Sequence, residues 1–362
     1  MGELRRGGLQ ERHQAWAELQ EVVVFSVPLN VRFRGVTSRE GVLLRGPGGW
    51  GECAPFWDYD AQVSARWLAS ALSLAVEKQP EPNRDLIPVN VTIPVVDNDE
   101  VLRRLRAAPG CATAKIKVAD AAGSDEKQAK ADRDRVRLVS EYLAEHYGEA
   151  AKVRVDANCA WTVKQAARSL ADLDRAAAAV GGLQYAEQPV PTVQDLAALR
   201  KATAVPLAAD ESIRLSSDPL AVRDLHAADV AVLKVAPLGG VKRALNLGRA
   251  LGMNLAVSSA LDTSIGLAAG VTLAAALPNL DLACGLGTAR LLAADVVDTP
   301  LVPATGFGPG NSGLAGTIGI TEADDVRKGR LAKKSLPLEE STAARWISRL
   351  VQMSHFVDED VH

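Results

Sequence analysis

From residue 88 onward the sequence predicts an α/β protein, a (β/α)7β TIM-like barrel joined to an α+β capping domain built from the N-terminal segment and part of the C-terminal one. Three observations carry that prediction. Strand-like apolar runs alternate with helical runs; five charged residues, Lys117, Asp156, Glu187, Asp210 and Lys234, stand at or near the ends of those runs; and the first segment has a different texture. The steps between the five are 39, 31, 23 and 24 residues, close to the roughly 30 residues per unit of a barrel of about 250 residues in eight units. In such a barrel the C-terminal ends of the strands converge on one mouth, where residues distant in sequence meet.

The first segment, 1–87, reads as the compact α+β unit. Strands are expected at 21–29 and 42–45 and a helix at 62–77, with Trp67, Leu68, Leu72 and Leu74 apolar. Between the two strands, 30–41 carries Arg32, Arg34, Gly35 and Arg39 and is expected to be a mobile loop, with solvated arginines or a lid over the barrel as its two readings.

The barrel is expected over 88–300. Its strands are predicted at 88–95, 112–118, 152–157, 182–187, 206–210, 229–235, 254–258 and 281–286, rich in Val, Leu, Ile and Ala as buried parallel strands are. Helices fill the gaps. Ser124 is a candidate cap for a helix carrying Val136, Val139, Tyr142 and Leu143 on one face and stopping at Gly148. Thr162 is a candidate cap for an alanine-rich helix ending at Gly181 and Gly182. The apolar segment 265–278 is too short to span a membrane and reads as a buried barrel helix.

After the barrel, 301–323 includes a glycine-rich stretch expected to return to the capping domain. The tail 324–362 contains an amphipathic helix at 341–353 to which the sequence assigns no role.

Composition narrows the function. With 362 residues, 48% hydrophobic and 23% charged, the chain is long enough for one large core and a smaller satellite. A net charge of −3, without a basic run interleaved with aromatics, points to a small-molecule partner and away from nucleic acid. The polar N-terminus lacks a secretory apolar stretch, so a cytoplasmic protein without membrane insertion is expected. Cys53, Cys111, Cys159 and Cys284 are scattered, suggesting buried packing rather than disulfides or a zinc site. No outer-surface stripe assigns an oligomeric state.

Chemistry comes from the strand ends. Lys115 and Lys117 alternate with apolar residues, so both ammonium groups face the same side of a strand; the competing reading is an edge strand protected by lysine, which an interior barrel strand does not need. Asp156, Glu187 and Asp210 each close a strand-like run. Singly each reads as a turn former or helix cap. Together, converging carboxylates repel one another unless a cation sits among them, and oxygen-only ligands favour a hard ion such as Mg2+. Lys234 closes a wholly apolar run, where a buried ammonium has to be paired or functional.

Lys115-Ile-Lys117, Asp156 with Asn158, Glu187-Gln-Pro189, Asp210-Glu211-Ser212 and Lys234 resemble the signature of the enolase superfamily, muconate lactonizing subgroup; Trp50-Gly-Glu-Cys-Ala-Pro55 is similar to a loop of that family's capping domain. The resemblance covers roughly residues 20 to 320. Arg154, Ser258-Ser259 and Ala283-Cys-Gly-Leu-Gly287 resemble its dehydratase branch of actinobacterial type, which serves menaquinone biosynthesis. The resemblance implies Asp156, Glu187 and Asp210 as Mg2+ ligands and Lys117 as the base that removes a proton beside a carboxylate. Lys234 would stabilise the enolate from the opposite face. Lys115, Arg154, Asn158, Glu211, Ser258, Ser259 and Gly285 would support the site or bind a carboxylate substrate. N-succinylamino acid racemases, dipeptide epimerases and muconate cycloisomerases share these residues and stay open as alternatives, as does a retired barrel serving as a binding scaffold. Racemases of the group commonly have arginine three residues after the second lysine; Pro237 stands there in this chain.

Overall fold

The computed structural model describes residues 14–33, 35–119, 126–305, 315–332 and 338–357. After a single helical turn at Gln14–Ala17 come three antiparallel strands, β1 (Glu21–Phe33), β2 (Val36–Gly46) and β3 (Gly49–Cys53), paired in the order β1-β2-β3. The next helix, α1 (Ala61–Val76), starts where Asp60 accepts a hydrogen bond from the Val63 amide. It buries Trp67, Leu68, Ala71 and Leu72 against Val42, Leu44 and Cys53 of the sheet. Gly51 permits that approach, because a Cβ on it would collide with the Ala71 carbonyl.

The expected loop at 30–41 is instead the end of a long β-ribbon. Phe33 pairs with Val36 across a turn at Gly35, whose φ is +79°, and the register shifts between Pro28 and Phe33. Pro28 carries no amide hydrogen, which accounts for a ladder interrupted rather than ended there. Arg34 and Ser124 lie outside the described residues, as does most of the glycine-rich stretch expected before Gly319.

The barrel sheet contains seven parallel strands in the order β11-β10-β9-β8-β7-β6-β5. They are β5 (Val91–Ile93), β6 (Thr113–Lys117), β7 (Lys152–Asp156), β8 (Leu183–Glu187), β9 (Leu207–Ala209), β10 (Val230–Leu233) and β11 (Asn254–Val257). Helices α2 (Asn98–Arg106), α3 (Glu126–Tyr147), α4 (Val163–Ala176) and α5 (Val193–Arg200) connect the first five, and the short α6 (Glu211–Arg214) and α7 (Ala221–Asp224) lead to β10. Next come α8 (Val241–Leu251) and α9 (Ser264–Ala276). Thr162 caps α4 through a reciprocal bond with Gln165. Because parallel strands are buried on both faces, their outward residues join the large core with the helices, while Tyr185, Ala208, Val230, Val232 and Ala256 fill the lumen.

Two expected strands take other forms. The run 88–95 divides: β4 (Leu86–Pro88) pairs antiparallel with β12 (Thr317–Gly319), and only β5 joins the barrel. The run 281–286 forms no ladder and closes the barrel through two isolated bridges, Val89 to Cys284 and Ser258 to Gly285. After β12, α10 (Ile320–Lys328) packs beside α9 and β3, and α11 (Glu340–Ser354) lies on α1.

Candidate active site

All five charged residues lie at C-terminal strand ends. Lys117, Asp156 and Glu187 are the last residues of β6, β7 and β8 and stand abreast in the ladder; Asp210 and Lys234 directly follow β9 and β10. Parallel strands ending at one level bring them together. The carboxylates of Asp156, Glu187 and Asp210 are buried, as are Lys115 and Lys234.

Each carboxylate faces an ammonium. Lys117 Nζ donates to Asp156 Oδ2 at 2.6 Å, Lys115 Nζ to Glu187 Oε1 at 2.9 Å, and Lys234 Nζ to Asp210 Oδ2 at 2.7 Å. Lys115 also stands 3.3 Å from Asp156 and so bridges two acids. Among the described residues no three Cys, His, Asp or Glu side chains are grouped so as to hold a metal ion as they stand, and each acid of the row carries a lysine ammonium.

Burial and charge then push these groups apart. Burial works against the Lys115 ammonium, but Glu187 and Asp156 overcome it and hold its pKa above the lysine range. For Lys117 burial prevails against Asp156, and neighbouring Lys115 adds to it, so its pKa falls below the usual value. That is the direction a lysine base needs. Among the acids, burial raises Glu187 to about 7 against Lys115, with Asp156 and Asp210 adding to the rise. Asp156 and Asp210 are held well below the carboxylate range despite burial, the first by Lys117 and Lys115, the second by Arg214 and Lys234.

Several neighbours fix this row in place. Asn158, at φ +44°, accepts from Lys117 Nζ at 2.6 Å, and its amide hydrogen bonds to Asp156 Oδ1. Strained backbone of this kind persists where the surroundings impose it. Glu211 accepts from Arg214 at 2.7 Å and from Asn158 at 3.4 Å, while its buried Oε2 has no partner among the described residues. Arg154 lies one ladder step deeper, donating to Gln184 and to the Ala283 carbonyl and stacking over Tyr185 at 4.6 Å. Across the seam, Ser258 follows β11 and its amide bonds to Leu233, beside Lys234. Ser259 shares a hydroxyl hydrogen bond with Thr288 at 2.7 Å, and its amide donates to the Gly285 carbonyl. A Cβ on Gly285 would meet the Ser258 side chain, with Cβ at 3.1 Å and Oγ closer still, so a larger residue there makes Ser258 shift.

The capping domain covers the mouth. The Phe33 ring lies 5.3 Å from Lys117 Nζ, and a cavity of about 290 Å3 lined by Arg32, Phe33, Pro94, Lys117 and Asn158 opens beside it. Phe56 packs on Leu261 and Leu291. Glu52 accepts from Thr263 Oγ1 at 2.5 Å and from the Gly266 amide at 3.0 Å, joining β3 to the start of α9. Cys159, near the acids, has its thiol pushed up to about 12, by burial first and then by Glu211 and Asp210, and stays protonated.

Sequence reasoning did not single out Gln188, Arg214, Tyr59 or Glu52. Gln188 is wholly buried at φ +36°; its side chain accepts from the Asp210 and Ser212 amides and donates to Val190 O and Ser212 Oγ, tying β8 to β9. Its place between Glu187 and Pro189 was the only available signal. Arg214 donates to Asp210 Oδ1 at 3.0 Å and to the Tyr59 hydroxyl at 2.8 Å.

Comparison with known proteins follows this geometry. Residues 98–317 match the family described as enolase C-terminal domain-like, and residues 24–75 the one described as enolase N-terminal domain-like. The chain is 47% identical to the o-succinylbenzoate synthase of Thermobifida fusca, over 90% of this chain and 93% of the relative, and 46% identical to that of Mycobacterium leprae, over 80% and 82%. In fold it resembles the muconate cycloisomerase of Pseudomonas fluorescens, with a TM-score of 0.61 and 20% identity over 90% of this chain and 98% of that one. A dipeptide epimerase from Cytophaga hutchinsonii, solved with Mg and a dipeptide, gives a TM-score of 0.62 at 20% identity over 82% and 91%. The chain belongs to the enolase superfamily and, within it, to the family of the o-succinylbenzoate synthases.

Proposed function

We propose that the chain catalyses the o-succinylbenzoate synthase reaction, the syn dehydration of 2-succinyl-6-hydroxy-2,4-cyclohexadiene-1-carboxylate to 2-succinylbenzoate, as a cytoplasmic step of menaquinone biosynthesis. The observation that carries this reading is two lysines set on separate buried carboxylates at one barrel mouth, Lys117 on Asp156 and Lys234 on Asp210, in a chain 47% identical to a relative of that name.

The donor set fits a divalent cation, Mg2+ in this reading. Asp156, Glu187 and Asp210 offer only hard oxygen donors, and Glu187 is raised in part by the other two, a repulsion that a bound cation relieves. When bound, the cation supplies Lewis-acid stabilisation of the second negative charge that forms on the substrate carboxylate.

The rest falls to side chains. Lys117, whose pKa burial shifts below the ordinary lysine value, is assigned as the base that takes the proton from the carbon beside the ring carboxylate. The C–O bond on the same face then breaks, and Lys117 returns that proton to the departing hydroxide, which leaves as water. Lys234 holds a positive charge on the other side of the ring. Asn158 keeps Lys117 Nζ aimed, and Lys115 holds Glu187 and Asp156 in place. The succinyl tail is assigned either to donors near Ser258, Ser259 and Gly285 or to Arg32, which lines the cavity beside Lys117.

Solvent deuterium exchange separates this reading from racemisation. Dehydration of the diene without deuterium entering the α-carbon of N-succinylamino acids supports it; exchange without dehydration overturns it in favour of the racemase.

A further inference from the structure

The tail helix α11 carries an arginine in an unusual setting. Arg349 is 6% exposed and pairs with no carboxylate among the described residues. Its guanidinium instead donates to the carbonyls of Pro55 at 3.3 Å, Phe56 at 2.6 Å and Tyr59 at 2.9 Å and to Ser64 Oγ at 2.9 Å. It also lies over the Trp57 ring at 4.7 Å and the Trp346 ring at 5.3 Å. Burying a guanidinium costs free energy that anchoring a helix does not require. The apolar face of α11, with Trp346, Leu350 and Met353 buried among α1 residues, already supplies that anchorage.

What Arg349 grips is the loop 54–60, which leads from β3 to α1 across the barrel mouth. On its far side the same loop meets the chemistry. Phe56 packs on Leu261 and Leu291, and the Tyr59 hydroxyl accepts from Arg214 at 2.8 Å. Arg214 in turn donates to Asp210 Oδ1 at 3.0 Å and to Glu211 at 2.7 Å, and Asp210 carries Lys234 on its other oxygen. One unbroken path of hydrogen bonds and backbone therefore runs from α11 to the carboxylate beneath Lys234.

We propose that Arg349 is a positioning residue of the active site. By fixing the loop at three carbonyls it sets Tyr59 against Arg214 and, through it, the orientation of Asp210. The C-terminal helix is then part of the catalytic assembly rather than a stabilising appendage. This inference rests on the proposed reaction only for its kinetic readout.

The test uses the full-length protein with Arg349→Met, which keeps the apolar stem and removes every donor, with Tyr59→Phe, which removes one hydroxyl, and with the double variant. Amide hydrogen exchange of residues 55–64 is read alongside kcat and KM, well below the melting temperature. Expected are faster exchange in 55–64 for Arg349→Met, and a loss in kcat/KM of about tenfold to a hundredfold, the scale on which small misplacements at a distance act. Tyr59→Phe is expected to lower kcat/KM as well, and the double variant to lose no more than the worse single one, because both act on one path. An Arg349→Met protein with a lower Tm but unchanged kcat/KM overturns the proposal, and so do losses that simply multiply. Should Arg349→Met fail to fold, Tyr59→Phe decides: unchanged kcat/KM overturns the path. The exchange result is independent of substrate, so a wrong reaction assignment shows as no turnover in every form while the exchange difference remains.

Discussion

Lys117 Nζ and Asp156 Oδ2 meet at 2.6 Å as partners in the β6–β7 register. The contact joins the residue whose ammonium is disfavoured by burial to one whose carboxylate is held well below its ordinary range. Asn158 accepts from the Lys117 ammonium, and the like charge of Lys115 adds to the lowering of its pKa. Removing Lys117 should slow the chemistry by orders of magnitude while the fold persists. Lys117→Ala is expected to lower kcat between about 100-fold and 10,000-fold, the range for a lost acid–base group, while circular dichroism and Tm stay near the parent's.

Asp156, Glu187 and Asp210 are expected to bind Mg2+ together. Chelation should remove activity, and added Mg2+ restore it. Calorimetric titration with Mg2+ alone should show Glu187→Gln weakening binding by about tenfold or more, because affinity for a hard cation follows the charge of its oxygen ligands. Equal affinity in parent and variant argues against Glu187 as a ligand.

Glu52 gives the pH dependence of stability. Burial first, then Asp262, raises its pKa to about 7 in the folded chain, against 4.5 without those surroundings. Between these values the native state holds a proton that the unfolded state has lost, so the group's stabilising contribution is complete below pH 4.5 and disappears as pH rises toward 7. The loss is about 3 kcal/mol over that interval. Urea unfolding from pH 4.5 to 7.5 should show a steeper fall for the parent than for Glu52→Gln.

Gly285→Ala should damage the seam. The added methyl meets the Ser258 side chain and makes it shift, and Ser258 follows directly on β11 beside Lys234. Overpacking of this kind costs about 1–3 kcal/mol. The readout is a lowered Tm with a raised KM, compared with a Ser258→Gly/Gly285→Ala double variant, in which the methyl fits and Tm recovers.

Much of the barrel was legible because buried parallel strands read as apolar runs, and a charge at the end of such a run stands out. Lys117, Asp156 and Glu187 therefore identified their own strands. Only the outer parts of the ribbon 21–46 were legible, as strands at 21–29 and 42–45: Arg32, Arg34, Gly35 and Arg39 suggested a loop between them, and only pairing with β2 shows that the strand resumes at Phe33. The run 281–286 has strand composition but closes the barrel by single bridges, a matter of tertiary geometry. Glu52 was legible only as a member of the Trp50–Pro55 motif and without a role, while Tyr59 and Arg349 could not be found from sequence, since their partners lie far away and nothing local distinguishes them from surface charge or ordinary aromatic packing.

The most direct test is turnover of the cyclohexadiene carboxylate by the purified chain with Mg2+, followed by loss of diene absorbance. The parent is expected to consume the diene and release 2-succinylbenzoate, and Lys117→Ala to do so at least about 100-fold more slowly. A folded, Mg2+-loaded parent that leaves the diene intact would contradict the assignment.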